Sequence, residues 1–137
     1  MSNPAKMRPI DRIVKQYQPT RNLRDDIHVP EWTFEGEEPF KIYWQKAWNV
    51  EERQMLANNH AHFMKEGMIT AEMSVDILMA KAQNADGTRM FKDGDRNELM
   101  RESDPKILER VAIVMLADLR LVPDKGEAAK NSDASAT

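Results

Sequence analysis

Apolar residues near the end of the chain recur with the spacing of an α-helix. Within residues 105–122, large apolar side chains occur singly or in adjacent pairs every three or four residues and so form one wide arc of a helix: Ile107, Leu108, Val111, Val114, Met115, Leu119 and Val122. This spacing predicts an amphipathic helix that packs on the core. Ser103 or Asp104 can cap it, Pro105 suits its first turn, and Pro123 ends it. Asp118 falls inside the apolar arc, so we expect it near the helix end or bonded to a neighbour.

A second helix is predicted over residues 50–66. Asn49 is a suitable N-cap, and Glu52 stands where a capping box places its acidic partner. Gly67 is suited to end the helix. Leu56, His60 and Phe63 share one face of this helix.

The segment 71–83, which Thr70 can cap, carries two apolar stripes. The first stripe contains Met73, Ile77 and Ala80, and the second contains Val75, Leu78, Met79 and Ala82. Ser74 with Lys81, and Asp76 with Gln83, separate them. A helix that only covers a core needs one stripe. We therefore expect either burial between two layers of its own domain or one stripe kept for another protein. A buried strand over residues 73–80 is a third interpretation.

Residues 27–47 have the periodicity of strands. Phe40, Ile42 and Trp44 alternate with more polar neighbours, and Trp32 alternates with Phe34. A Gly-containing loop separates the two runs, which predicts a short β-hairpin with strands near 32–34 and 40–44. Because an isolated hairpin is marginal in water, its aromatic face should lie on the helical body.

Two Asp-Gly turns bracket the apolar pair Met90-Phe91. The turns are Asp86-Gly87 and Asp93-Gly94. Asp95 then caps a short predicted helix that ends near residue 102, with Glu98 three residues after the cap.

The predicted fold class is mainly α: one small domain of about four helices with a short N-terminal hairpin and flexible termini. Residues 1–26 form a basic arm that contains three prolines, in which only a turn or two of helix is expected around residues 10–17. There Ile13, Val14 and Tyr17 share a face. The domain covers residues 27–122. Residues 123–137 have no large apolar side chain and are expected to be disordered.

The net charge of −3 conceals an asymmetry, because residues 1–24 carry six bases and one acid. A basic arm on an acidic body can contact nucleic acid or an acidic protein. The arm lacks regular alternation of bases with aromatic residues, so a solvated leader is the preferred interpretation. No apolar run reaches the roughly 18 residues of a membrane span, and an apolar signal-peptide core is not expected. The chain has no Cys, which excludes disulfides, and ten Met, which suit cores and adaptable surfaces alike.

Candidate chemistry is sparse. Asp93, Asp95 and Asn97 follow the donor spacing of a calcium loop, but Glu98 and Asp104 stand where that loop needs Gly and Glu. Helix capping explains the same residues. His60 and His62 are two residues apart and cannot form a metal pair on one helical face. We expect no enzyme activity, metal or cofactor. A helix-turn-helix over residues 95–121 is the nucleic-acid alternative, although its second helix is mostly apolar.

Two groups of motifs carry a resemblance to a known family. The first contains Val29-Pro-Glu-Trp32, Phe40-Lys-Ile-Tyr43 and Trp48-Asn-Val-Glu-Glu-Arg53, and the second contains Asp86-Gly-Thr-Arg-Met-Phe91, Asp95, Leu99 and the apolar helix 107–122. Their order and spacing over residues 27–122 resemble the tail assembly chaperones of long-tailed (siphovirus-type) bacteriophages. One departure is the run 73–83, which has stronger helix formers than the β-branched run of some members.

The resemblance implies a non-enzymatic protein of the bacterial host cytoplasm that is absent from the mature virion. It implies binding to the apolar, helical tape measure protein and recruitment of tail tube subunits. We expect the second stripe of the 71–83 helix, Val75, Leu78, Met79 and Ala82, to contact the partner. No membrane partner is expected, and self-association into a homo-oligomer stays open. The alternatives are a helix-turn-helix-like nucleic-acid-binding regulator and a small enzyme subunit.

Overall fold

The computed structural model describes residues 7–119, within which six α-helices accompany one two-stranded antiparallel sheet. The elements are α1 (Pro9–Arg21), β1 (Arg24–His28), β2 (Lys41–Gln45), α2 (Val50–Asn59), α3 (Ala61–Glu66), α4 (Ala71–Lys81), α5 (Arg96–Glu102) and α6 (Pro105–Met115). The mainly α class with an N-terminal hairpin is confirmed. The predicted helix end at Val122 and the predicted disordered tail lie outside the described residues.

Two helices are additional to the expected four. One is α1, which has 13 residues where a turn or two was expected. The other arises because the predicted 50–66 helix is interrupted at His60, whose backbone leaves the helical region with φ −138° and ψ 52°. The caps of this segment are confirmed: Asn49 and Glu52 form a capping box, and Gly67 adopts a left-handed conformation with φ 77°.

The hairpin pairs Ile27 with Ile42, so its first strand precedes the predicted position. The expected strand at 32–34 is wrong, since Pro30–Trp32 forms a 3-10 turn. Pro30 favours this turn because its ring fixes φ and it has no N–H for a strand ladder. The Thr33 hydroxyl closes the long connection by donating to the Val29 carbonyl and accepting from the Phe40 N–H. Because β1 begins at Arg24, the last residues of the predicted arm belong to the sheet.

Helix α4 runs through the middle of the core. It packs against α6, α5 and α2, and both of its apolar stripes contribute buried side chains. The interpretation as a helix between two layers of its own domain is confirmed, and the strand interpretation is wrong. Ser74 and Lys81 are also buried, at 0% and 3% exposure, although the pattern placed them between the stripes. Ser74 satisfies its hydroxyl by donating to the Thr70 carbonyl one turn back.

The Asp86-Gly87 turn closes a tight loop beside the sheet. Gly87 has φ 90°, and the Asp86 carboxylate accepts from the Thr88 N–H and hydroxyl. Gln83 forms isolated bridges with Tyr43 on one side and Arg89 on the other, so this loop extends the edge of β2. The pKa of Asp86 is lowered mainly by the Thr88 hydroxyl.

Helix α6 is shorter than its apolar pattern predicts. Asp104 caps it by accepting from the Lys106 N–H, and Pro105 is its first residue. The helix ends at Met115 and continues as a 3-10 turn, Leu116–Asp118. Asp118 is therefore exposed beyond the helix end, as its position in the apolar arc required. None of the helices in residues 7–119 is long and apolar enough to cross a membrane.

Candidate functional site

The four residues expected to contact a partner lie in the core. Val75, Leu78, Met79 and Ala82 are exposed by 2%, 0%, 7% and 1%. The second stripe that they form packs inside the same domain as the first. The expectation that this stripe contacts a partner is therefore corrected, because a folded chain does not present buried side chains to another protein. A surface for a partner has to be sought among the exposed apolar residues.

The methionines mainly fill the core. Met73, Met79 and Met115 are buried, and Met55, Met64 and Met90 pack against the buried cluster. Met68 and Met100 are exposed by 63% and 43%. Met68 lies on the connection after α3 and Met100 lies on α5. The exposed methionines therefore do not form one continuous docking surface.

Helix α1 carries three exposed large apolar side chains, more than any other helix of residues 7–119. None of its residues is buried, and Ile10, Ile13 and Val14 are exposed by 51%, 62% and 50%. These side chains and the partly buried Tyr17 recur at positions i, i+3, i+4 and i+7, so they form one face of the helix. An isolated helix of about 12–15 residues is marginal in water. A short helix whose apolar face is left exposed is typical of a helix that binds a partner.

The apolar face of α1 forms one wall of an open groove of about 480 Å³. The opposite wall is the start of α2 and the residue before its cap: Trp48, Asn49, Val50 and Arg53. Val50, the first residue of α2, is 81% exposed. The groove is therefore accessible to solvent, and its lining combines apolar residues with Gln16, Arg21, Asn49 and Arg53.

The floor of the groove is held by contacts from three elements. The Trp48 indole N–H donates to the Met115 carbonyl at 3.1 Å. The Lys81 ammonium lies 4.6 Å from the centroid of the same indole ring. It also donates to the Ala47 carbonyl at 2.8 Å and to Glu52 at 3.1 Å. These contacts fix the Trp48 ring before any partner arrives, which lowers the ordering cost of binding.

Burial lowers the pKa of Lys81, and the neighbouring carboxylate of Glu52 opposes that shift. A buried ammonium costs free energy unless it is paired and hydrogen-bonded. The carbonyl, carboxylate and aromatic ring around Lys81 supply that compensation. The residue thus ties the end of α4 to the start of α2.

The rim of the groove is basic. Arg21 and Arg53 line it, and α1 also carries Arg12 and Lys15. At the first turn of α1 the Arg8 side chain pairs with Asp11 at 2.9 Å, which lowers the pKa of that carboxyl group. An apolar groove with a basic rim favours an amphipathic helix with acidic residues beside its apolar face.

A histidine–carboxylate pair lies away from the groove. His60 Nε2 is 2.7 Å from Asp76 Oδ2, and Arg96 Nε donates to the other oxygen of Asp76 at 2.9 Å. A His–Asp pair can serve as a general base. Here His60 is only 3% exposed, so a substrate cannot reach its ring. The pair instead joins the interruption between α2 and α3 to α4 and α5.

Helix α6 bears on the helix-turn-helix alternative. Leu108, Val111, Ala112 and Met115 bury one face of it. On its outer side Arg110 donates to both oxygens of Glu31 at 2.7 Å, which lowers the pKa of Glu31 to about 2. The exposed Ile113 and Val114 complete that side. A DNA-reading helix presents polar groups to base edges, and α6 offers few.

Within residues 7–119 there is no cluster of three or more His, Asp or Glu side chains placed to hold a metal ion. The Asp93–Asp95 region forms a 3-10 turn in which Asp95 accepts from the Lys92 N–H at 2.9 Å. Comparison of the chain with protein-family models, curated proteins and solved structures found no match.

The sequence contains one signal for the groove, the shared face of Ile13, Val14 and Tyr17. The prolines around this face favour an unstructured leader and so obscure the helix. Pro9 in fact occupies the first turn of α1, where proline is tolerated, and Pro19 lies inside the last turn. Nothing in the sequence indicated that this face lies beside Trp48 and Val50.

Proposed function

We propose that this chain is a phage tail assembly chaperone that binds an apolar helix of the tape measure protein in the groove between α1 and α2. The observation that carries the proposal is the apolar face of α1, which has no covering element in the described residues. The family resemblance of residues 27–122 supplies the biological setting. The groove replaces the buried stripe of α4 as the binding surface.

A chaperone of this kind has to cover apolar helical segments without turnover of a small molecule. Helix-in-groove recognition does this by laying an amphipathic helix into an apolar channel, with anchors at positions i, i+3, i+4 and i+7. The groove offers aliphatic walls and an aromatic floor for such anchors. Its basic rim adds charge complementarity, which selects and orients acidic amphipathic segments.

Binding to the tape measure protein leaves the opposite surfaces of the chain free for tail tube subunits. The protein would act in the host cytoplasm during assembly and leave before the virion is complete. Gene neighbourhood supplies the partners for the test, since we expect a tube gene upstream and a very long helical gene downstream. The regulator alternative gains little from α6, because its outer side carries the apolar Ile113 and Val114 and an Arg110 that is already paired with Glu31.

The test is co-expression of this chain with the tape measure protein encoded by the downstream gene. The wild type is expected to keep that protein soluble and to co-purify with it. A double variant, Ile13→Asp with Val14→Asp, places two carboxylates in the groove and should abolish co-purification. Because both side chains are exposed by half or more, the variant should fold as the wild type does.

The chain contains a matched control for this experiment. Ile113 and Val114 form the same dipeptide on α6 and are exposed by 55% and 38%. The double variant Ile113→Asp with Val114→Asp should retain the tape measure protein. Loss of binding in both double variants would place the surface outside the groove. A wild-type chain that neither solubilises nor retains the tape measure protein would refute the function itself.

A further inference from the structure

A second, separate pocket opens between the hairpin connection and the start of α6. It measures about 370 Å³ and its apolar wall is mostly aromatic: Trp32, Phe34, Phe40, Phe91 and Leu99. Glu102, Ser103 and Asp104 complete its lining. This volume lies within the range of about 300–1,000 Å³ that is usual for ligand pockets.

Most of the aromatic wall is held in place. Trp32 and Phe40 meet edge to face, with ring centroids 5.9 Å apart and planes at 78°. Trp32, Phe40, Phe91 and Leu99 all pack against the core cluster. Phe34 differs, because it is 72% exposed at the rim. The pocket thus has an aromatic wall that packs on the core and one exposed ring at its rim.

The two carboxylates give the pocket a negative side. Arg110, the base on the neighbouring face of α6, is already held by both oxygens of Glu31. Arg101 and Lys106 adjoin the carboxylates in sequence but do not line the pocket. Aromatic faces and carboxylates attract the same kind of group, a cation with an apolar stem.

We propose that this pocket binds an arginine side chain of an extended segment of a partner protein. Three properties of the guanidinium group fit the pocket. It is planar and stacks on aromatic rings, it donates in a fork that matches carboxylates, and it is more weakly hydrated than an ammonium. A contact between a guanidinium group and an aromatic ring already occurs within this fold, where the Arg24 guanidinium lies 5.1 Å from the centroid of the Tyr43 ring. This inference does not rest on the tape measure proposal.

The test uses NMR on the ¹⁵N-labelled full chain with a defined probe, the peptide acetyl-Gly-Ser-Arg-Ser-Gly-amide. The matched peptide carries citrulline, which keeps the shape of arginine without its charge. The arginine peptide should shift the Trp32 indole N–H and the amides of Phe34, Glu102 and Asp104 saturably. The citrulline peptide should bind on the order of tenfold more weakly.

Three substitutions divide the interaction into its parts. Phe34→Ala should weaken both peptides, because it removes the exposed ring. Glu102→Gln with Asp104→Asn should weaken the arginine peptide by more than the citrulline peptide, because it removes the carboxylates while the rings remain. Asn is as good a helix cap as Asp, so α6 should remain intact. As controls, Met68→Ala and Glu66→Gln remove an exposed apolar side chain and a carboxylate outside the pocket.

Several outcomes would overturn the proposal. Equal affinity for the arginine and citrulline peptides would exclude recognition of the charge. Unchanged binding by Phe34→Ala and by the double variant would place the peptide elsewhere. Tetramethylammonium chloride binding as tightly as the peptide would indicate a site for small cations. If the same resonances shift on dilution without peptide, the occupant is an arginine of a second copy of this chain.

Discussion

At the scale of single residues, Lys81 links the core to the proposed binding groove. Its ammonium group contacts the Ala47 carbonyl, Glu52 and the Trp48 ring, so one side chain joins the connection before α2, the start of α2 and the end of α4. Breaking a buried pair by removal of one partner leaves the other uncompensated. In this case Glu52 retains a bond from the Asn49 N–H at 3.0 Å. Loss of Lys81 therefore leaves the helix cap in place.

The lowered pKa of Lys81 makes a pH-dependent prediction. The unfolded chain binds more protons than the folded one between the folded pKa and the ordinary value of 10.5. Stability therefore rises with pH over that interval through this group. Lys81→Met removes the titration. The free energy of unfolding of the wild type, measured against this variant by urea denaturation, should increase as the pH rises from neutrality towards 10.5.

A matched control is Lys65→Met, which removes an exposed lysine of α3. Its stability relative to the wild type should stay constant across the same pH interval. A constant difference for Lys81→Met as well would contradict the burial of the ammonium group.

The sequence could predict the helix that carries Lys81 but not its environment. The wheel of residues 71–83 placed Lys81 on the boundary between two stripes, which is commonly solvated. Its burial depends on Ala47 and Glu52, more than 28 residues away, meeting the end of α4. Contacts of this range depend on how elements dock, and a periodic pattern within one element does not encode that.

At the scale of elements, most predicted helix boundaries are confirmed because capping acts locally. The expected Asp95 cap is wrong, since Asp95 makes no side-chain bond to the start of α5 and accepts from the Lys92 N–H instead. Asn49, Thr70 and Gly67 each define a helix boundary from their own neighbours. The strand near Trp32 was predicted wrongly because alternation over three residues is short and Pro30 favours a turn. Helix α1 was underestimated because prolines punctuate its sequence, whereas both prolines within it lie in its first or last turn.

Helix α1 should be much less stable than α4 in the isolated chain. None of its side chains is buried, whereas seven residues of α4 are. Helices with few buried contacts open locally at a small fraction of the global free energy. Amide hydrogen exchange should therefore give α1 protection factors at least about a hundredfold below those of α4.

The same measurement separates a binding helix from an idle one. Addition of the tape measure protein should raise the protection of α1 while that of α4 changes little. If α1 is as protected as α4 in the chain alone, its apolar face is already covered and the groove is not available.

At the scale of the whole molecule, the two apolar cavities differ in the charge of the residues that line them. The α1–α2 groove has a basic rim, and the aromatic pocket has an acidic side. The uneven distribution of charge is visible in the sequence, since residues 1–24 carry six bases and one acid whereas the whole chain has a net charge of −3. The aromatic pocket was not, because it gathers Trp32, Phe91 and Asp104 from three separate segments. Because the two cavities are lined by different residues, the two proposed partners would occupy separate surfaces.

The burial of α4 gives a prediction that distinguishes core from surface. Leu78 and Met79 are exposed by 0% and 7%, so Leu78→Asp with Met79→Asp places two carboxylates in the core. Burying an unpaired charge costs several kcal/mol, against a total stability of about 5–15 kcal/mol for a domain. The double variant should therefore lose its cooperative thermal transition and its near-ultraviolet circular dichroism. Ile113→Asp with Val114→Asp makes the same kind of change on the exposed face of α6 and should keep both signals. A folded Leu78/Met79 variant that no longer binds the tape measure protein would instead return the docking surface to α4, because only an accessible stripe can lose binding without loss of the fold.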